Sequence, residues 1–318
     1  LLLLAVLAVA VLAAGLGLRD PWPADEPRFA LVAREMVASG DWLFPHRNGE
    51  LYADKPPLFM WMIALGYQAT GNLRIAFLLP SLLAGLATLA MVVDLSRRLW
   101  GTRPALYAGL ALLVSFQFAW QGRAAQIDAV LVGWTTLGLY GLARHLLLGP
   151  AWGWCAVGFT AMGCGVITKG VGFLPVLALL PWALARWRGA RGLAAVGPDR
   201  RWLLVAPLLL VPIAAWLVPM LRAVAASGDP ALIAYRDNIL FTQTVRRYAD
   251  PSHHFKPPWY FLTQIPVLWA PLALLLPWAI PAWWRRVRRG DGRQALLLGW
   301  VALVLIFFSA SLGKRGVY

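Results

Sequence analysis

Asp25, Asp54 and Asp128 supply carboxylates in this chain, Lys55, Lys169, Lys314 and Arg315 supply cations, and His253 and His254 supply imidazoles. These types suit one kind of chemistry: moving a group off a phosphate. Cations stabilise the leaving phosphate, and a carboxylate or metal orients or deprotonates the acceptor. Asp54 with one of the two histidines makes a mixed nitrogen–oxygen site that suits a divalent ion such as zinc and keeps open positions. Lys314, Arg315 and Tyr318 together form a grip for a phosphate, and Lys is a point-charge phosphate partner.

Each of these residues has a plainer role beside the chemical one. Asp25 stands where a helix N-cap belongs, and Asp128 stands at the mouth of an apolar run, where it caps a span. An acid at a membrane helix end is costly unless it is solvated, paired or used. Lys55 precedes Pro56 and Pro57, which hold it extended near headgroup depth; snorkelling to lipid is its plain role. Exposed loop histidines are the plain reading of His253 and His254.

The elements that position these residues are membrane helices. Apolar residues make up 60% of the chain and charged residues 14%. A run of about 20 apolar residues spans a bilayer, and nine runs qualify: 1–18, 74–95, 104–121, 128–148, 152–168, 171–187, 202–221, 262–284 and 295–312. The net charge of +15 does not point to nucleic acid, because of where it falls. Arg97, Arg98 and Arg103, then Arg144, then Arg186, Arg188, Arg191, Arg200 and Arg201, then Arg285, Arg286, Arg288, Arg289 and Arg293 occupy alternate connections. That puts them on one side, which the positive-inside rule makes cytoplasmic. Of the acids, Asp94, Asp199 and Asp291 fall there and the others fall opposite. The opposite side carries the two long loops, 19–73 and 222–261, and so the site. Cys155 and Cys164 share one helix nine residues apart, about 13.5 Å of rise, too far for a disulfide. The chain begins inside an apolar run and stops just after another, so it is expected to be a single transmembrane domain, 1–318, cut at both ends.

Two short helices are expected in the first loop. One runs from Glu26 to Ser39, with Asp25 at its cap, Pro27 in its first turn and Gly40 after it. Phe29, Val32, Met36 and Val37 line one face, a pattern for a helix lying in the membrane interface. The other runs from Leu58 to about Ala69 and ends at Gly71.

The order of residues in this loop carries a resemblance. Asp25-Glu26-Pro27-Arg28-Phe29, Ala33-Arg34-Glu35-Met36, Gly40-Asp41-Trp42, Pro45-His46, Asn48-Gly49 and Tyr52-Ala53-Asp54-Lys55-Pro56-Pro57-Leu58 follow one another. Then come Arg123 with Ile127-Asp128, Thr168-Lys169-Gly170, His254 with Lys256-Pro257-Pro258-Trp259-Tyr260, and Ser311 with Lys314-Arg315 and Tyr318. This series resembles the integral-membrane GT-C glycosyltransferases of the lipid A aminoarabinose transferase type, which are akin to the protein mannosyltransferases. The resemblance implies an all-α polytopic GT-C bundle with interfacial helices in its external loops. It implies transfer of a sugar from undecaprenyl phosphate to a lipid A-like, glycan or protein acceptor at the periplasmic face of the bacterial inner membrane, by a monomer. It makes Asp25 and Asp128 catalytic acids and Lys55 and Tyr318 donor-phosphate contacts. Arg28, Tyr52 and Lys169 line the cavity, and Asp54 and His254 match metal-ligand positions. Phe29 stands where the family has Tyr, and Asp54 where it has Glu. The rival reading is a transporter or lipid flippase, which calls for ionisable residues at midspan and repeated halves; the runs here have neither.

Overall fold

The structure, a computed structural model, describes residues 1–241 and 256–310. In chain order the helices are α1 (Leu2–Leu12), α2 (Glu26–Ser39), α3 (Leu58–Thr70), α4 (Leu73–Ala76), α5 (Leu79–Trp100), α6 (Thr102–Val114), α7 (Phe116–Gly122), α8 (Ile127–Leu148) and α9 (Trp152–Lys169). They continue as α10 (Leu179–Trp187), α11 (Trp202–Val205), α12 (Leu210–Ser227), α13 (Pro230–Asp237), α14 (Tyr260–Leu268), α15 (Leu276–Arg288) and α16 (Gly292–Ala310). A two-residue hairpin, β1 (His46–Arg47) with β2 (Glu50–Leu51), pairs His46 with Leu51 antiparallel.

Every apolar run holds helix, but among the described residues the expected nine continuous spans do not form. Among the described residues three helices are long and apolar enough to cross a membrane: Leu73–Trp100, Trp202–Ser227 and Gly292–Ala310. A fourth arises if Tyr260–Leu268 and Leu272–Arg288, bent by 111°, make one broken span. The reasons are local. The first run stops at Leu12 ahead of Gly15 and Gly17, both at positive φ. The third breaks at Ser115, which is extended (φ −63°, ψ 121°) between α6 and α7. The sixth opens as a 3-10 turn over Leu174–Ala178, where Pro175 denies a donor.

The loop helices form as the sequence predicts. Pro27 sits in the first turn of α2, and Gly40 ends it at φ 74° with its N–H on the Met36 carbonyl, a left-handed close that glycine enters without a Cβ penalty. Gly71 ends α3 in the same way at φ 64°. The apolar face expected of α2 finds its partner within the protein. Phe29, Val32 and Met36 are buried against Phe59, Met60 and Ile63 of α3 and against Ile127 and Val130 of α8. Phe29 and Phe59 meet edge to face at 5.0 Å, and burying such a ring is worth about 1.5–3 kcal/mol. The apolar stripe therefore faces protein, and the helix is fixed to the bundle.

The arginine-bearing connections meet at one end. The Arg191 N–H donates to the Gly290 carbonyl (2.7 Å), the Gly292 N–H to the Arg191 carbonyl (2.8 Å) and the Ala194 N–H to the Leu146 carbonyl (2.9 Å). Arg293 Nη1 reaches the Leu99 carbonyl at 3.0 Å. The first loop and the described start of the second pack together elsewhere: Phe44, Leu51 and Leu58 share a cluster with Trp216, Met220, Tyr235 and Ile239. Phe44 and Tyr235 meet at 5.4 Å. Cys155 and Cys164 are both free.

Candidate active site

Arg28, on the first turn of α2, gathers two of the candidate acids. Its Nη2 donates to Asp25 Oδ1 at 2.5 Å, and its Nη1 lies 3.6 Å from Asp54 Oδ2. The same guanidinium lies over the rings of Phe29 (5.0 Å) and Tyr52 (5.9 Å). Asp25 occupies the N-cap position, yet its side chain makes no capping bond; the carboxylate goes to Arg28 instead. Both acid side chains are 47% exposed, so they stay open to a ligand. Tyr52 is buried, its hydroxyl has no hydrogen-bond partner, and burial above all pushes that hydroxyl well above its ordinary value. Lys55 follows Asp54 directly and is half-buried ahead of the two prolines that open α3.

Asp128 and Lys169 form a second pair. Asp128 Oδ1 accepts from Lys169 Nζ, and the two side chains are 11% and 12% exposed. Asp128 lies in the first turn of α8 and Lys169 in the last turn of α9, where the helix dipoles favour an anion and a cation respectively. Both helix ends also pack on the first loop. Ile127 shares the α2–α3 cluster with Phe29 and Tyr52, and Ile167 packs among Leu51, Ala53 and Leu58.

Glu26 is a residue that the sequence reading passed over. It is 4% exposed. Its carboxylate accepts from Arg19 Nη1 (2.5 Å) and Nη2 (2.8 Å), from the Trp22 N–H (2.7 Å) and from the Ala125 N–H (2.8 Å). Burial alone would raise its carboxyl, but the Arg19 bonds and the two backbone donors outweigh it and hold Glu26 below its ordinary value. Glu26 thus ties the start of α2 to the turn before α8. The signal available in the sequence was an acid beside Asp25 on the inward face of a loop helix. Next to this clamp lies a cavity of about 320 Å³, lined by Arg19, Trp22, Asp25, Trp120, Arg123 and Gln126 among others. Asp25 is in its wall; Asp128, two residues past Gln126, turns instead to Lys169.

Four of the sequence-derived site residues, His254, Lys314, Arg315 and Tyr318, lie outside the described residues, as does His253. Among the described residues no three of His, Cys, Asp and Glu gather to hold a metal. Asp54 faces the guanidinium of Arg28, a neighbour that competes with a cation for the carboxylate.

The model of the dolichyl-phosphate-mannose-protein mannosyltransferase family matches residues 54–216, just over half of the chain. The chain belongs to this family. It is 34% identical over 307 residues to the undecaprenyl phosphate-alpha-4-amino-4-deoxy-L-arabinose arabinosyl transferase of Edwardsiella ictaluri, across 93% of this chain and 52% of that protein. It is 33% identical to the protein of the same name from Pseudomonas paraeruginosa, across the same shares. The chain thus spans about half the length of the curated relatives it matches. The crystal structure of ArnT from Cupriavidus metallidurans bound to undecaprenyl phosphate superposes on all of this chain and 56% of its own length, with a TM-score of 0.82 at 26% identity. An archaeal oligosaccharyltransferase, AglB of Archaeoglobus fulgidus, shares the fold at a TM-score of 0.63 and 13% identity. The fold is therefore the all-α GT-C membrane bundle.

Proposed function

We propose that this chain is the catalytic membrane part of a glycosyltransferase that moves a sugar from undecaprenyl phosphate to a lipid A-like, glycan or protein acceptor at the periplasmic face of the bacterial inner membrane. The observation that carries the reading is the Asp25–Arg28–Asp54 group with Lys55 beside it, held between the start of α2 and the bend before α3 in a chain that superposes throughout on a structure containing undecaprenyl phosphate.

An acceptor oxygen attacks the anomeric carbon, the bond from that carbon to the phosphate oxygen breaks, and undecaprenyl phosphate leaves with the electron pair. Lys55 is the cation offered to the leaving phosphate, with Lys314, Arg315 and Tyr318 as further contacts. Asp25 takes the acceptor's part. It is open and lines the cavity, and its bond from Arg28 keeps it aimed. A hydroxyl acceptor passes its proton to Asp25; a phosphate acceptor arrives ionised and is only positioned. Asp128, buried on Lys169, serves the site by holding that cation at the mouth of α8. Arg28 and Tyr52 build the wall behind the two acids. Asp54 is engaged by Arg28, and the chain's own side chains carry the step.

The test uses the full-length protein in bilayers with an undecaprenyl phosphate-linked aminosugar donor, product being read by mass spectrometry. Because Asn caps a helix as well as Asp and Asp25 makes no cap bond, Asp25→Asn should leave folding intact and lower turnover by about a hundredfold or more. Near wild-type transfer by this variant would remove Asp25 from the chemistry.

A further inference from the structure

The end of the bundle that bears the arginine loops holds more cation than the protein neutralises. Its three carboxylates are already engaged. Asp94 is paired with Arg98 (2.6 Å), Arg97 (3.5 Å) and Arg144 (3.8 Å). Asp199 accepts from the Arg201 N–H at 2.8 Å, and Asp291 is paired with Arg293 at 3.2 Å. Arg285, Arg286, Arg288 and Arg289 close α15 exposed, and among the described residues none has a carboxylate within ion-pair distance. Arg186 and Arg188, at the end of α10, are exposed as well.

These two groups form one surface. The backbone bonds joining Arg191 to Gly290 and Gly292 stitch the loop after α10 to the turn after α15. The arginines are also flanked by bare indoles: Trp187 is 81% exposed, Trp278 73% and Trp284 60%. Indoles beside guanidinium groups at a helix end mark the depth at which hydrocarbon gives way to headgroups. A partner for this surface must bring negative charge at that depth and tolerate apolar rings beside it.

We propose that the ends of α15 and α10 form a binding surface for the phosphate headgroups of anionic phospholipids. The guanidinium groups take the phosphates, and Trp187 and Trp284 lie along the acyl-chain shoulders. The surface lies at the arginine-loop end, away from the Asp25 group, so it is independent of the sugar-transfer reading.

The experiment is native mass spectrometry of the full-length protein, titrated with phosphatidylglycerol and, separately, with phosphatidylcholine. The wild type should retain phosphatidylglycerol in preference. Arg285→Gln/Arg286→Gln/Arg288→Gln/Arg289→Gln should weaken that retention by about tenfold or more. A control neutralised on the opposite face, Arg34→Gln/Arg222→Gln, should change it by less than about twofold, and replacing the same four arginines of α15 by Lys should restore most of it. Equal losses in variant and control would overturn the proposal, as would undiminished preference in the glutamine variant. If that variant fails to fold, Arg286→Gln and Arg288→Gln measured singly must each weaken retention, and no change in either refutes it. Displacement of the lipid by millimolar inorganic phosphate would show a simple anion site and equally refute it.

Discussion

Glu26 and Asp25 are neighbours with opposite fates, and the contrast comes from side-chain surroundings. Glu26 is enclosed and saturated with donors; Asp25 stays open on Arg28. Because the folded carboxyl of Glu26 is held below its unfolded value, its charge stabilises the fold fully above the unfolded carboxylate range, about pH 4.3, and that contribution fades as pH falls through the lower folded value. Thermal unfolding of the full-length wild type and Glu26→Gln should therefore differ by a constant gap from neutral pH down to about pH 5, and the gap should narrow below it. A gap that widens on acidification would mean that Glu26 is not held as the anion. The Asp128–Lys169 pair invites a different measurement. Removing one member of a buried pair costs about 3–5 kcal/mol, so Asp128→Asn and Lys169→Met should each lower the melting temperature, while the double variant should recover most of the loss. If Asp128 also acts on substrate, the double variant will be stable yet inactive; recovery of both would assign it to structure alone.

The pair exists because α8 and α9 lie unusually close, and glycines allow it. A Cβ on Gly141 would run into the Trp154 carbonyl and stand 2.9 Å from the Gly158 Cα, the small-residue contact that lets membrane helices approach. Gly141→Ala should force the two helices apart and draw Asp128 away from Lys169 at the far end of the same interface. The expected result is a loss of transfer with a lowered melting temperature, whereas Gly153→Ala, where a Cβ meets open space, should change neither. At this scale the sequence was read well where signals were local. Pro27, Gly40 and Gly71 set the ends of α2 and α3 as anticipated. It was read less well where contacts decide. The apolar face of α2 carries the same pattern whether it meets lipid or α3, and only packing distinguishes them. Asp25 was similarly placed at its cap correctly, but its partner Arg28, one turn on, could not be told from a helix N–H by position. Glu26 was missed because its partners Arg19 and Ala125 are joined to it only by the fold.

The whole molecule sorts its charge: cations in excess at one end, and the loop-borne acids with Arg28 and Lys55 in the first loop. Run length alone overcounted continuous spans, since Ser115, Pro175 and the bend between α14 and α15 interrupt helices whose composition is uniformly apolar. The sorting of arginines survived this, because it depends on alternate connections and not on how straight each crossing is. Under the positive-inside rule it predicts which face the chemistry occupies, and that can be measured directly. In a full-length background with Cys155→Ala and Cys164→Ala, Glu50→Cys reports the β2 edge of the first loop and Arg200→Cys reports the arginine end; both positions are exposed. A membrane-impermeant maleimide added to cells with a permeabilised outer membrane should label position 50 at once and position 200 only after the inner membrane is opened. The reverse pattern would place the Asp25 group in the cytoplasm, where the positive-inside rule would be broken by all four arginine loops together. A donor lipid presented on the periplasmic leaflet could not then reach Lys55.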